Sequence, residues 1–318
     1  MPKGTLIYNP TAGPLNVMVT IEKVADYWRD RGWDMRVEPT RYPGHAVILA
    51  RDAAATHHDL VIAAGGDGTL GEVANGLAFT DTILAPLPVG TGNSFGKELK
   101  MPRPQLFNQS LLLQASEGLY RGRVHQMDLG CQNDKYWVLW AGAGADGYLV
   151  KQIEPRSKLT KKLGSVGYFL QILRLIPKLP PVKATIHVDG QTFHDTYLLV
   201  TISNCRLFAG GELVLSPKAF LDDGLFEVWL FPGHGLSNIL HYLWQIRRGR
   251  HTFNPNICHT TGRYVAVESD APLYFHTDGD LGGTTPMVTN IQPDALRVLI
   301  PNTAPRDLFQ RAGIPLLE

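Results

Sequence analysis

Gly65-Gly66-Asp67-Gly68-Thr69 sets three glycines around a carboxylate, directly after the apolar run DLVIAA (59–64) and directly before the helical pattern LGEVANGLA. Glycines at a strand-to-helix turn let backbone N–H groups come close to a phosphate, and the positive end of the helix dipole favours its charge. An aspartate inside such a cradle repels phosphate unless a divalent cation stands between them, so the stretch reads as a site for a metal-bound nucleotide. The same residues also allow a tight turn with Asp67 as a helix cap. Two other nucleotide motifs are excluded. The GxGxxG of Gly66 to Gly71 lacks a dinucleotide-binding context, since no acidic residue stands between Asp81 and Glu98, and Gly92-Asn93-Ser94-Phe95-Gly96-Lys97 fails as a P-loop because Thr91 occupies the first glycine position and Glu98 follows the lysine.

The elements that must position these loops follow from periodicity. GTLIY (4–8), DMRVEPT (34–40), DLVIAA (59–64) and TILAPLPV (82–89) read as strands. Val17, Ile21, Val24 and Trp28 recur at helical spacing and Gly32 follows, which predicts a helix over about 17–31. Further helices are expected over about 69–79 and 105–117. Such alternation builds βα units around a mostly parallel sheet. The carboxyl ends of its strands face one crevice, so Asn9-Pro10-Thr11-Ala12-Gly13, Thr40 and Gly90-Thr91-Gly92-Asn93 are expected to meet the glycine loop there. Each of these, taken singly, is an ordinary turn.

Past Asp128 the text becomes β-rich. YWVLWAG (136–142), VKATIHV and QTFHDTYLLVTISN joined by Asp189-Gly190, LFEVWLF (225–231), YVAVES (264–269), LYFHTDGD (273–280) and ALRVLIP (295–301) predict an antiparallel sandwich or barrel, with a hairpin at Asp-Gly. A helix is expected over 236–247. The boundary falls near 125, giving an α/β domain over 1–125 and a β domain over 126–302, with the tail 303–318 packing back on the first domain.

Composition narrows the class of partner. At 318 residues, 44% hydrophobic and 19% charged, the chain can bury two cores. A formal net charge of +1 gives no global attraction to nucleic acid, and none is expected as a partner. Cys131, Cys205 and Cys258 form neither a disulfide framework nor a zinc pattern, which fits a reducing cytoplasm. The longest stretch without Asp, Glu, Lys or Arg, Val228 to Ile246, carries Pro232, Gly233 and Gly235, so any membrane contact is expected to be peripheral, at the inner face.

NPTAG, GGDGT with EVANGL, PVGTGN, MDLG (127–130), LDDGLFEV (221–228) and the late DGD (278–280) run in one order over nearly the whole chain. In this the sequence resembles the diacylglycerol kinase catalytic-domain family, which includes sphingosine and ceramide kinases. The resemblance implies an N-terminal Rossmann-like, NAD-kinase-like α/β domain, a C-terminal β-sandwich, and transfer of the γ-phosphate of ATP to a lipid hydroxyl in the cleft between them. It implies ATP contacts at Asn9, Thr11, Thr40, Gly65, Gly66, Asp67, Gly68, Thr69, Leu70, Gly71, Thr91 and Asn93, with Asp67 near Mg²⁺. It implies a structural Mg²⁺ or Ca²⁺ held by the Asp223 carboxylate and the carbonyls of Phe220 and Leu225, where the residues alone also allow a β-turn.

The acceptor hydroxyl needs a base, and His276-Thr277-Asp278-Gly279-Asp280 offers Asp278 and Asp280. The resemblance points to Asp280; the residues alone also read as a solvated hairpin turn. The family commonly has Ser at Ala12, Asn at Gly71, Glu at Asp280 and Asp at Ser94, and the last departure removes a carboxylate from the metal's surroundings. The basic, apolar segment 151–183, with Lys158, Lys161 and Lys162, reads either as a surface for anionic lipid or as a helix with solvated lysines. Arg247-Arg248-Gly249-Arg250 reads as a solvated helix end. Two alternatives stand beside the lipid kinase: a soluble NAD kinase, against which GTGN, LDDGLFEV and DGD argue, and a catalytically weak relic that binds lipid or nucleotide.

Overall fold

Strands with no polar face must be covered on both sides, and the central strands of the first part are of that kind. The computed structural model describes residues 1–12, 17–90, 92–102, 110–153 and 182–316. In it β1 (Lys3–Tyr8), β2 (Asp34–Pro39), β3 (Leu60–Gly65) and β4 (Ile83–Pro88) form a parallel sheet. β3 and β4 are buried along their whole length. The order is β2-β1-β3-β4, and the C-terminal half of a later long strand adds to β4 in parallel, Val298 opposite Leu84.

Helices α1 (Val17–Arg29), α2 (His45–Ala55), α3 (Asp67–Leu77), α4 (Ser94–Glu98) and α5 (Ser110–Tyr120) lie between and after these strands. Gly32, at φ 85°, follows α1 in the left-handed conformation that its position after the helix predicts. Trp28 of α1 is fully buried and donates its indole N–H to Ser116 Oγ of α5 at 2.8 Å. Gly76 is where α3 meets α2: a Cβ there would lie 2.6 Å from Ala50 Cβ and 2.8 Å from the Val47 carbonyl oxygen.

The chain forms two compact units, Met1–Leu129 with Phe220–Asp223 and Gln292–Glu318, and Gly130–Ala219 with Gly224–Ile291. Residues 220–223 and 292–302, which the sequence reading placed in the second domain, therefore pack with the first. The reason is specific. The buried Asp222 carboxylate accepts the N–H groups of Gln310 (2.7 Å) and Arg311 (2.9 Å), and Asp128 accepts that of Asp294 (2.9 Å).

In the second unit, β5 (Arg123–Gln132) runs in from the first and pairs with β6 (Lys135–Trp137). β7 (Trp140–Gly144), helix α6 (Ala145–Ile153), β8 (Val182–Val188), β9 (Gln191–Ser203), the short β10 (Leu207–Phe208) and β11 (Leu213–Val214), and β12 (Phe226–Pro232) follow. Then come helix α7 (Gly235–Arg247), β13 (Cys258–Gly262), β14 (Tyr264–Ser269), β15 (Tyr274–Thr277), β16 (Asp280–Thr284) and β17 (Met287–Ile300). β9 turns the corner of the sandwich: Gln191–Tyr197 pair with β8, while Leu199–Ser203 lie between β7 and β12. Trp137, Ile186, Val200, Phe226, Val228, Val265 and Phe275 pack as one core, with Trp137 stacked on Phe226 at 5.0 Å. In the first unit β18 (Ile314–Pro315) pairs with β5, Ile314 opposite Val124.

Asp189 (φ 44°) and Gly190 (φ 87°) form the predicted two-residue hairpin. Two predicted strands are broken. YWVLWAG is β6 and β7 with a gap at Val138 and Leu139, and LYFHTDGD ends at Thr277 because Asp278 (φ 51°) and Gly279 (φ 86°) make a second hairpin turn. Asp278 stands at both breaks, turning the chain at one and binding the amides of the other with its carboxylate. Replacement of Trp28 by Ala removes a buried indole at the α1 and α5 contact; denaturant unfolding of that variant is expected to show a loss of about 3–5 kcal/mol.

Candidate functional site

The loops leaving the four parallel strands are tied to one another by backbone hydrogen bonds. Asn9 N–H donates to the Ala64 carbonyl (3.1 Å), Thr40 N–H to that of Tyr8 (2.8 Å), and Val89 N–H to that of Gly65 (2.9 Å). Asn9 Oδ1 in turn accepts from the N–H (2.9 Å) and hydroxyl (2.8 Å) of Thr11. Asn9, Thr40, Gly65 and Gly90 are thus brought to one edge of the sheet. Thr91, also expected here, lies outside the described residues.

Two glycines are required where the loops touch. A Cβ on Gly65 would strike the buried Thr69 side chain at 2.5 Å, and one on Gly90 would stand 3.0 Å from the Gly66 Cα. Gly66 opens α3 in an extended conformation and supplies no side-chain cap. The result is a bare helix N-terminus beside a second glycine turn, open at Gly68, where a Cβ would meet nothing. Such a surface fits phosphate oxygens approaching backbone N–H groups. Thr69 and Leu70 are buried and Gly71 half-buried, so Leu70 serves the core and offers a ligand only its backbone.

The Asp67 carboxylate, expected near a metal, also carries a structural load. Its Oδ2 accepts the N–H of Ser94 (2.9 Å) and its Oδ1 that of Phe95 (3.2 Å), so it caps the start of α4 from across the loop. Asn93, buried and left-handed (φ 48°), donates its side-chain N–H to the Gly90 carbonyl and closes the turn. A carboxylate has about four acceptor positions, so two amide bonds leave Asp67 able to face a cation as well.

Glu72, which the sequence reading did not single out, performs the same task on the other side. Its Oε1 accepts the Gly44 N–H (2.8 Å) and its Oε2 the Ala46 N–H (3.1 Å), capping α2 and fixing the loop that follows Thr40. The available signal was a carboxylate one turn beyond the glycine loop, on the partly exposed face of α3.

In the second unit the hairpin turn separates its two carboxylates. Asp278 accepts three backbone N–H groups, those of Val138 (2.6 Å), Leu139 (2.8 Å) and Trp140 (3.2 Å). Asp280 begins β16 with a side chain 62% exposed, 3.0 Å from Lys135 Nζ. Below the turn, buried His276 accepts the Gly279 N–H at Nδ1 (3.2 Å) and brings Nε2 within 2.7 Å of Asp146 Oδ2. Burial opposes the charged form of His276, but the carboxylates of Asp146, Asp278 and Asp280 outweigh it and hold its pKa above the ordinary imidazole value.

Of the proposed structural metal ligands, Phe220 and Asp223 belong to the first unit and Leu225 to the second. The neighbouring carboxylate, Asp222, is committed to Gln310 and Arg311, whereas Asp223 is half-buried beside Gly224 (φ 72°). One carboxylate and two carbonyls are a hard-oxygen set that suits Mg²⁺ or Ca²⁺. Among the described residues no three His, Cys, Asp or Glu side chains group as a metal site.

Residues 3–131 match the model of the diacylglycerol kinase catalytic domain, and residues 141–300 that of the YegS C-terminal NAD kinase beta sandwich-like domain. The chain is 32% identical over 290 residues to the diacylglycerol kinase of Bacillus subtilis (strain 168), covering 90% of this chain and 92% of that one. It is 29% identical to the diacylglycerol kinase of Staphylococcus aureus (strain MRSA252), over 89% and 88% of the two chains. A crystal structure of a diacylglycerol kinase from Bacillus anthracis str. Sterne shares the fold, with a TM-score of 0.74 at 24% identity over 94% of this chain and 97% of that one.

The caps on α3 generate a measurable expectation. Asp67→Ala strands two buried N–H groups, which costs about 1–3 kcal/mol, and amide exchange at Ser94 and Phe95 should accelerate accordingly. Exchange unchanged at both amides would show that Asp67 does not hold α4.

Proposed function

We propose, from the fact that this chain belongs to the diacylglycerol kinase catalytic-domain family, that it transfers the γ-phosphoryl group of ATP to a hydroxyl of a lipid such as diacylglycerol. The observation that carries the reading is the contact of Gly66 with Gly90 beside the bare start of α3. It leaves backbone N–H groups for phosphate and no side chain in their way. Asn9, Thr11 and Thr40, at the ends of β1 and β2, would complete the nucleotide contacts. Mg²⁺, when bound with the nucleotide, would supply charge neutralisation for the phosphates, and Asp67, whose carboxylate has acceptor positions beyond its two amide bonds, is the residue proposed to stand near it.

The contrast between Asp278 and Asp280 supports Asp280 as the base. Asp278 is committed to three amides, and losing them would open the chain at Val138 to Trp140. Asp280 has an exposed carboxylate and one exposed lysine partner, so it is the group able to take a proton from the lipid hydroxyl. As that oxygen bonds to the γ-phosphorus, the bond to the leaving ADP breaks and the proton passes to Asp280. An acceptor carried in a bilayer calls for peripheral contact, since no helix among the described residues is long and apolar enough to cross a membrane. The basic segment expected to make that contact lies outside the described residues over 154–181, including Lys158, Lys161 and Lys162.

Two substitutions separate chemistry from architecture. Asp280→Asn should lower turnover by roughly 10²–10⁴-fold with ATP, Mg²⁺ and diacylglycerol, at unchanged nucleotide affinity and melting temperature. Asp278→Asn should lower the melting temperature first. Loss of turnover in Asp278→Asn with unchanged melting, alongside near-normal turnover in Asp280→Asn, would reverse the assignment.

Ser94 tests the metal. Its N–H rests on Asp67, so an acidic side chain there places a second carboxylate next to the first. Ser94→Asp should lower the melting temperature without Mg²⁺, restore it with Mg²⁺, and reduce the Mg²⁺ needed for half-maximal turnover. A melting temperature indifferent to Mg²⁺ in this variant would remove Asp67 from the metal's surroundings.

A further inference from the structure

Helix α7 turns apolar side chains outward. Its inner side is held by buried Ile246 and by Tyr242, which packs edge-on against Phe231 and donates its hydroxyl to the Pro232 carbonyl at 2.8 Å. On the other side Leu240 is 43% exposed and Trp244 45% exposed, at the i, i+4 spacing that places them side by side. Arg248 continues that row by another four residues, and Arg247 lies beside it.

After the helix the chain doubles back. Asn254 donates to the Gln245 side chain at 2.8 Å, and Phe253, 86% exposed, stands on the short turn between Arg250 and Asn254. The guanidinium groups of Arg248 and Arg250 lie 5.8 Å and 5.3 Å from the Trp244 ring centre. None of Arg247, Arg248 and Arg250 enters an ion pair among the described residues.

The surrounding sequence is one-sided in charge. Between Glu227 and Glu268 there is no acidic residue, and Arg247, Arg248, Arg250 and Arg263 are the charged side chains. Apolar side chains gathered on a surface mark an interaction site, whereas single exposed ones do not. Here Leu240 and Trp244 lie side by side, Arg248 and Arg250 lie over the Trp244 ring, and Phe253 is exposed on the turn that Arg250 opens. An indole and a phenyl ring at the level of lipid headgroups, with guanidinium groups reaching anionic phosphates, is the chemistry of an interfacial helix.

We infer that the outer face of α7 with the turn carrying Phe253 is a docking surface for an anionic lipid bilayer. It shares no residue with 151–183, the basic segment whose sequence allows either a lipid surface or a helix with solvated lysines. The opposite sign of the bilayer argues for this occupant over a second copy, whose own α7 would bring like charges together.

The test needs neither nucleotide nor turnover, so it stands apart from the kinase reading. The full chain is mixed with vesicles of phosphatidylglycerol or of phosphatidylcholine, and binding is followed by sedimentation and tryptophan emission. Wild type should bind phosphatidylglycerol vesicles more tightly, weaken with salt, and shift its emission to the blue. Trp244→Phe should lose most of that shift while still binding. Arg247→Gln, Arg248→Gln and Arg250→Gln together should weaken phosphatidylglycerol binding at least about tenfold, as three charges near an anionic surface require. Phe253→Ser changes only an exposed side chain and should weaken binding without altering the melting temperature, which keeps the test valid if changes on α7 itself unfold the helix.

Vesicle binding unchanged in both the triple arginine variant and Phe253→Ser would overturn the inference. So would light scattering that finds wild type dimeric and Phe253→Ser monomeric at equal vesicle affinity, since the face would then join copies of this chain. Vesicle binding without any lipid phosphorylation would remove the kinase reading and leave this one intact.

Discussion

Backbone N–H groups at helix starts and chain corners must find an acceptor, and in this protein a carboxylate from elsewhere in the chain repeatedly provides it. Asp67 takes the amides that open α4, Glu72 those that open α2, Asp222 those of Gln310 and Arg311, and Asp278 those of Val138 to Trp140. A hydrogen bond to a charged acceptor is stronger than a neutral one, and removing it leaves a buried donor unpaired. These bonds fix the relative positions of segments that are far apart in sequence. Removing any one would leave backbone donors unpaired in the segment it holds.

The glycine loop depends on this arrangement. A phosphate cradle has to leave the start of α3 free of side chains, so Gly66 cannot cap its own helix. The order that a local cap would have given comes from α3 itself, whose two carboxylates reach outward and hold its neighbours. The loop remains bare where a ligand would approach and is hydrogen-bonded on both flanks. The same economy appears in the second unit, where the turn Asp278-Gly279 spends one carboxylate on architecture and leaves Asp280 facing solvent. His276 below it, with Asp146 at 2.7 Å, gives that turn a buried polar support.

A kinase that acts on a lipid has to meet two phases, and the described surface is divided accordingly. The carboxyl edge of the parallel sheet gathers backbone donors and glycines, suited to a soluble, highly charged ligand. The outer face of α7 and the turn after it carry an indole, a phenyl ring and guanidinium groups outside any ion pair among the described residues, suited to a boundary between water and hydrocarbon. These two chemistries stand on different units of the fold.

Much of the first unit was legible in the sequence because its signals are local. Apolar runs of strand length, the α1 period ending at Gly32, and the glycine loop between a strand and a helix each follow from a few neighbouring residues. The hairpin at Asp189-Gly190 was legible for the same reason. Roles that depend on distant partners were not. Sequence spacing gave Asp67 a metal to face and gave Asp278 and Asp280 equal standing. The tertiary structure brings the amides of Ser94 and Phe95 to Asp67 and those of Val138 to Trp140 to Asp278, contacts that spacing does not show, whereas the preference for Asp280 was already carried by the family resemblance. It also broke YWVLWAG into two strands, returned residues 220–223 and 292–302 to the first unit, and turned a basic helix end into a surface with exposed aromatics. The sequence by itself determined which segments become strands, helices and glycine turns, because backbone preference and burial act over short range. Which carboxylate is free for chemistry was decided in three dimensions, because an acceptor's availability depends on which donors the fold carries to it.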